Sequence, residues 1–234
     1  CTFTVMTFNV MLPFLEYIKD YKQNDRLKYM DAFFTSVIHK NPKLTVIVLS
    51  ELIPSTYIKF FKKFMTKLGF THFATVKSLI LQQNGGMCIF SRGRIKKINF
   101  KSFGASCAYA DCLANKGVLY AQCLCQCRKH DIHTFGTHMQ SWTSMIAQTV
   151  RSEQLTIISD FMRDMIHETV RITHAPIVLC GDLNMDAHIP SDLQEIKSSL
   201  RMIYPKFSKH SLQYTFDRFN TMVGLDGSWE NSTQ

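Results

Sequence analysis

Ile177-Val-Leu-Cys-Gly-Asp-Leu-Asn184 is the stretch on which the reading of the fold turns: an apolar run of buried-strand type meets Gly181 and then delivers Asp182 and Asn184. The same arrangement occurs three more times. Asn9 follows Val5-Met-Thr-Phe8, Glu51 follows Val46-Ile-Val-Leu-Ser50, and His138 follows Thr134-Phe-Gly-Thr137. Short β-branched apolar runs bounded by polar residues read as buried strands. In layered α/β folds the carboxyl ends of such strands gather at one rim, where residues from distant segments share a pocket.

Working outward, strand-like and helix-like segments alternate along the chain. Strands are expected at Phe3–Val10, Leu44–Leu49, Thr71–Val76, Met87–Ser91, Lys96–Phe103, Val118–Cys125, Asp131–Thr137 and Pro176–Cys180. Helix periodicity marks a broken segment from Phe14 to Ile38, an amphipathic one from Thr56 to Leu68 and the strongest from Thr149 to Glu168. Lys59, Lys62, Lys63 and Lys67 form the solvated face of the second, and Ala108–Lys116 reads as a loop. With no repeat, linker or low-complexity stretch, residues 1-234 are expected to be one α/β domain with a pair of mixed sheets.

Composition bounds the function classes. Apolar residues make up 46% of the 234 and charged ones 19%, which excludes a disordered tail. Lys and Arg number 27 against 18 Asp and Glu, a net +9 that favours polyanions such as nucleic acid, anionic lipid or phosphorylated ligands. Up to Gly117 there are 17 basic and 6 acidic residues, and after it 10 and 12, so the first half carries +11 and the second −2. No apolar run reaches the about 18–20 residues of a membrane helix. Eight cysteines are too sparse for a disulfide scaffold, and Cys123, Cys125 and Cys127, at alternating positions, read as packing on one face of a strand rather than as a zinc site.

Each polar strand end has a plainer reading when taken alone. Asn9 could be a turn former, Asp182-Leu-Asn184 an Asx turn or helix cap, Glu51 a lysine partner and His138 a satisfied core histidine. Together they suit hydrolysis of a phosphate ester assisted by a hard cation. Mg2+ prefers carboxylate oxygens, waters and phosphate oxygens, with Glu51 the best ligand and Asn9 able to add an amide oxygen or hold the carboxylate. His138 and Asn184 offer donors to phosphate oxygens whose charge grows in the transition state, and Asp182 can orient a water or a neighbouring histidine. The set lacks a convincing general base.

At these residues the sequence resembles the endonuclease/exonuclease/phosphatase superfamily, the metal-dependent fold of deoxyribonuclease-like enzymes. The matching strings are Thr7-Phe-Asn-Val10, Leu49-Ser-Glu51, Gly136-Thr-His138 and Gly181-Asp-Leu-Asn184. Within it the resemblance narrows to neutral sphingomyelinases of bacterial type. That rests on Asn84-Gly-Gly-Met-Cys-Ile-Phe-Ser-Arg92, on Tyr109-Ala-Asp-Cys-Leu-Ala-Asn-Lys-Gly-Val-Leu-Tyr120, on Gly136-Thr-His-Met-Gln-Ser141, and on Tyr214-Thr-Phe-Asp217 with Asn220. The resemblance implies a four-layer α/β/β/α sandwich of two mixed sheets flanked by helices. It implies a Mg2+-dependent phosphodiesterase, Mn2+ being another suitable cation, that splits sphingomyelin at a membrane surface into ceramide and phosphocholine. Residue by residue, Glu51 would bind the cation with Asn9 beside it, and His138 and Asn184 would hold the phosphoryl oxygens. Asp182 would position the nucleophilic water, and Asp111 matches an acidic residue near the site, with Tyr109, Asn115 and Lys116 around it.

Three departures qualify the resemblance. The family ends in an Asp-His pair whose histidine is the general base, and none follows Asn184; His188 and His210 stand in other contexts. Because Thr215-Phe-Asp217 matches a point shortly before that pair and the chain stops soon after Gly224-Leu-Asp-Gly227, truncation before the last strand or strands is the expectation, with an inactive protein the alternative. Ser50 replaces the family's usual Gln before the metal-binding Glu. The family disulfide from near Cys107 to a cysteine after the Thr-His-x-Gln segment has no second partner between Ser141 and Cys180. The competing functions are a nuclease or inositol-phosphate phosphatase of the same fold, and a catalytically dead lipid- or protein-binding module. Nucleic acid is the less favoured partner, no obligate protein partner is inferred, and family habit places the protein outside the cell or peripherally at a membrane. Asn231-Ser-Thr233 fits a glycosylation acceptor in a secreted chain.

Overall fold

Ile47 and Leu49 face one side of their strand, Val46 and Val48 the other, and all four are fully buried. A strand covered on both faces reads as an unbroken apolar run, and its alternate residues feed two different cores. This strand, β2 (Leu44–Leu52), lies inside a sheet ordered β1-β2-β5-β3, where β1 is Thr4–Leu12, β3 His72–Thr75 and β5 Cys88–Ser91. A second sheet is ordered β10-β9-β8-β6, from β6 (Ile95–Ser102), β8 (Gly117–Leu124), β9 (Asp131–His138) and β10 (Ile177–Asp182). The computed structural model describes residues 3–12, 23–78, 82–169, 175–186 and 188–201. The segment 14–22, His210, Tyr214 to Asp217, Asn220, Gly224 to Gly227 and Asn231 to Thr233 lie outside these.

Both sheets are mixed and follow one plan. The edge strand β1 is parallel to β2, and β2, β5 and β3 are antiparallel in turn. Likewise β10 is parallel to β9, and β9, β8 and β6 are antiparallel. The sheets meet through Val46, Val48, Met87 and Ile89 on one side and Leu119, Ala121 and Cys123 on the other. Gly136 of β9 lies in this seam, where a Cβ would come within 2.9 Å of Val48 Cγ1. Helices cover the outer faces. Phe34 and Ile38 of α1 (Gln23–Lys40) and Phe61 and Met65 of α2 (Ser55–Lys67) pack on Ile47, Leu49 and Phe90. Leu155, Ile158, Met162 and Met165 of α3 (Met145–Thr169) pack on Val118, Tyr120 and Phe135. The layers therefore run α/β/β/α, as expected.

Several local features differ from the sequence reading. The strand carrying Cys123 ends at Leu124, so Cys125 closes the hairpin, its N–H donating to His130 O, and Cys127 sits in the turn. Arg128, at φ 57, makes that turn too tight for the strand to continue. The loop from Ala108 contains a 3-10 turn, Tyr109–Leu113, and a short strand β7 (Ala114–Asn115) parallel to β4 (Gln83–Asn84). A disulfide joins Cys107 to Cys112, a local pairing the cysteine count did not bring out. Helix α3 starts four residues before the expected Thr149, where Ser144 Oγ accepts the N–H of Ala147 and takes the capping role. A fourth helix, α4 (Pro190–Leu200), begins on a proline whose missing N–H costs nothing in a first turn.

Candidate active site

The two parallel pairs bring four polar strand ends to one rim, by different backbone devices. Between β1 and β2 the register shifts once after Thr4↔Leu44, then runs regularly from Val5↔Val46 to Asn9↔Ser50 and resumes at Leu12↔Leu52, so at the rim β1 holds one residue more than its neighbour. Met11 (φ 49) and Glu51 (φ 59) take up this bulge in the left-handed region, which costs a non-glycine residue on the order of 1 kcal/mol. Bulges beside active sites re-aim side chains, and here the carboxylate so directed is Glu51. Between β9 and β10 the register is unbroken, ending at Asp182↔His138. Gly181, at φ +133, makes this possible: a Cβ there would lie 1.9 Å from Thr137 O.

The four side chains meet. Asn9 Nδ2 donates to Glu51 Oε1 at 2.8 Å and to Asp182 Oδ2 at 3.0 Å, while its Oδ1 accepts Met11 N at 2.9 Å. The amide thus ties two carboxylates together through its nitrogen, and its oxygen secures the bulge. His138 Nε2 lies 3.7 Å from Glu51 Oε1. Glu51, His138 and Asp182 each offer a ligand atom, all within 4.8 Å of one another. Asp182 Oδ1 accepts Asn184 N at 2.9 Å, the Asx turn considered above, and Asn184 Nδ2 donates to Met139 O at 3.0 Å. Asn184 is itself left-handed at φ 50, a conformation Asn tolerates better than most residues.

Asp111 stands one step away. Its Oδ2 accepts Ser141 N at 2.7 Å and pairs with Lys116 Nζ at 2.8 Å. Lys116 is buried, donates to Met139 O at 3.1 Å and reaches within 3.5 Å of His138 Nε2. Asp111 therefore joins the group through Lys116 rather than by direct contact with Glu51 or Asp182.

The electrostatics of the cluster are set by burial and by the Lys116 charge. Burial raises the Glu51 carboxyl above its usual range, with the Asn9 hydrogen bond and the Lys116 charge opposing that shift. Burial, reinforced by Lys116, pushes His138 down to about 4, so the imidazole is neutral near pH 7. Two half-buried acids, a neutral histidine and a lysine lie close together. A divalent cation there would offset the unfavourable burial of the acids, and the oxygen-rich donor set is of the type Mg2+ takes.

Sequence reasoning missed the supports beneath the rim. Gln140, buried beside His138, accepts Ala108 N on its Oε1 and donates its own N–H to Gln154 Oε1, both at 2.8 Å. Gln154 Nε2 donates to Ser106 O, and Arg151 Nη1 donates to Gln140 O and Trp142 O. Arg151 and Gln154, both buried, thus fasten the segment after His138 and the loop before Asp111 to α3. The available signal was positional: both lie at helical spacing beside Val150 and Leu155, on the face the apolar pattern turns inward. On the other flank, buried Asn84 donates to Ile53 O at 2.5 Å and accepts Gly86 N at 2.9 Å, fixing the turn against which Glu51 packs.

Solved structures share this architecture. Sphingomyelinase C from Streptomyces griseocarneus superposes with a TM-score of 0.70 at 22% identity, over 84% of this chain and 68% of its own. A beta toxin variant from Staphylococcus aureus with bound magnesium ions gives 0.65 at 23% identity, over 83% and 69%. An endonuclease/exonuclease/phosphatase family protein from Bacteroides thetaiotaomicron gives 0.62 at 15%, over 84% and 66%. No family model matches the sequence, and no curated protein does. The fold is that of the endonuclease/exonuclease/phosphatase proteins, and the structures that share it include sphingomyelinases.

Proposed function

We propose that this chain is a divalent-cation-dependent phosphodiesterase that hydrolyses sphingomyelin to ceramide and phosphocholine. The observation that carries the reading is the meeting of Asn9, Glu51, His138 and Asp182 from the carboxyl ends of four strands. Support for the substrate comes from the sphingomyelinase fold neighbours and from the Ala110-Asp111 to Lys116-Gly117 and Thr137-His-Met-Gln140 segments. Support for Mg2+, or Mn2+ in its place, comes from the donor set and from the magnesium bound in the beta toxin variant.

In this mechanism Glu51 would hold the cation, and Asn9 ties the carboxylates of Glu51 and Asp182 together. A cation bound there would supply positive charge for the phosphoryl oxygens and lower the pKa of a bound water. His138, neutral, and the second N–H of Asn184 hold phosphoryl oxygens as their charge increases. Asp182 accepts a hydrogen bond from the attacking water and orients it for in-line attack. Asp111 restrains Lys116, whose charge faces the same phosphate.

The test is phosphocholine release from sphingomyelin in detergent micelles, with Mg2+, with Mn2+ and with chelator. Turnover that requires the cation is the expected result; chelator-insensitive turnover, or none with either cation, would overturn the reading. The +11 charge of the first half favours a second reading, cleavage of a nucleic acid on the same site. Salt-sensitive cleavage of plasmid DNA in preference to sphingomyelin would put it first.

A further inference from the structure

Among the described residues ten large apolar side chains are exposed, and five of them, Tyr109, Leu113, Trp142, Met145 and Ile146, stand on two loops beside the candidate site. The first loop is closed by the Cys107–Cys112 disulfide; the second runs from Ser141 into the first turn of α3. The two are fastened together. Ser141 N donates to Asp111 Oδ2, Tyr109 Oη lies 3.1 Å from Ser144 Oγ, and Ala108 N donates to Gln140 Oε1. Met145 is 83% exposed, Leu113 67% and Trp142 65%, so these side chains face water on a backbone that is already fixed.

Charge is missing where a water-facing loop would carry it. From 102 to 115 and from 139 to 150 the only charged residue is Asp111, and its carboxylate is turned onto Lys116 and Ser141 N. Cations border the loops instead. Exposed Lys77 gives its carbonyl to Asn115 Nδ2, and exposed Lys101 pairs with Val118 across the sheet. An uncharged apolar rim with Trp and Tyr, edged by lysines, matches the interface of a phospholipid bilayer, where aromatic rings lie among headgroups and aliphatic chains reach the acyl boundary. No described helix is long and apolar enough to cross a membrane.

We propose that the loops 107–113 and 141–146 are the docking surface by which this protein sits on a phospholipid membrane, presenting the site to a lipid in the same leaflet. Trp142 and Tyr109 occupy the headgroup level, and Leu113, Met145 and Ile146 enter the acyl boundary. This rests on the reading of the substrate as a membrane lipid.

The test is flotation of the protein with vesicles of phosphatidylcholine, and of phosphatidylcholine with phosphatidylserine, both free of sphingomyelin so that docking is measured without turnover. The variant combines Leu113→Ser, Trp142→Asn, Met145→Ser and Ile146→Ser. The wild type is expected to float with both vesicles and more strongly with the anionic ones, and the bound fraction of the variant to fall roughly tenfold or more on each. Phosphocholine release from detergent micelles should stay within about twofold of wild type. The proposal is overturned if the variant floats as well as the wild type, if the wild type does not float, or if moderate salt removes all its binding. It is also overturned if sedimentation shows a wild-type dimer that the variant dissolves, which would make the patch a subunit interface. Failure of the sphingomyelinase reading shows separately, as absent micelle turnover in a protein whose vesicle binding is still measured.

Discussion

The two sheets share one topology yet deliver their functional side chains in opposite ways. At the β1/β2 rim the ladder is broken: a bulge and two left-handed residues, Met11 and Glu51, turn the acid into the site. At the β9/β10 rim the ladder is kept to its last pair, Asp182↔His138, and a glycine absorbs the geometry. The first rim is thus strained for the sake of one carboxylate, and the second depends on a position where no side chain fits. Chemistry should therefore be most sensitive at the first rim and folding at the second.

The sharpest break of this comparison is Glu51→Gln. It should lower phosphocholine release by about a thousandfold, roughly 4 kcal/mol of barrier. Yet in chelator it should raise the thermal midpoint, because the buried carboxylate costs stability when ionised. A variant that loses activity and stability together would contradict the assignment of strain to function at this rim.

Gly181→Ala should do the reverse. Its Cβ would meet backbone, Thr137 O, at a φ that alanine avoids, so a loss of about 3 kcal/mol in denaturant unfolding is expected. A loss below about 1 kcal/mol would show that the β9/β10 rim bends as easily as its counterpart.

A third effect is set by pH. The unfolded chain protonates His138 near 6.5 and the folded protein only near 4, so the unfolded state binds more protons between them. Metal-free protein should keep this contribution in full above that window and lose it as pH falls through it, on the order of 3 kcal/mol. Glu51, shifted up, works in the opposite sense and offsets part of the loss. His138→Asn removes only the histidine share, so denaturant midpoints of wild type and variant should diverge less at pH 5 than at pH 7. Parallel curves would refute the buried neutral imidazole.

Gly136→Ala is the mildest. Its Cβ would press on Val48 Cγ1 and Met87 Cε, side-chain atoms that can move, so about 1 kcal/mol is expected. A penalty as large as that of Gly181→Ala would mean that the seam between the sheets is as unyielding as the rim.

These sites divide by how visible they were in the sequence. Strand runs such as Val46 to Ser50 and Ile177 to Gly181 announce themselves, since two-sided burial demands unbroken apolar residues, and the polar residue ending each run marks the rim. The bulge at Met11 leaves no such mark, because a one-residue excess arises from pairing rather than from composition. Arg151 and Gln154 were hidden for another reason. A polar residue on an inward face looks like an error in the periodicity until its partners, the carbonyls of Gln140 and Trp142 for one and Gln140 N with Ser106 O for the other, are in place. The direction of the Asn9 amide was equally hidden, since its oxygen suits a cation and its nitrogen a carboxylate, and the sequence places both kinds of neighbour within its reach.

The bond from Asn9 to Asp182 spans 173 residues, and its consequence is temporal. Contacts of such long separation form late, after helices and hairpins have already gained their local energy. His138 and Asp182 are neighbours through a single helical crossover, so half of the cluster can assemble early, but Glu51 and Asp182 come under one amide only when both sheets have closed on each other. Catalytic competence, on this reading, is the last property the folding chain acquires, and turnover during refolding would time the closure of the sandwich.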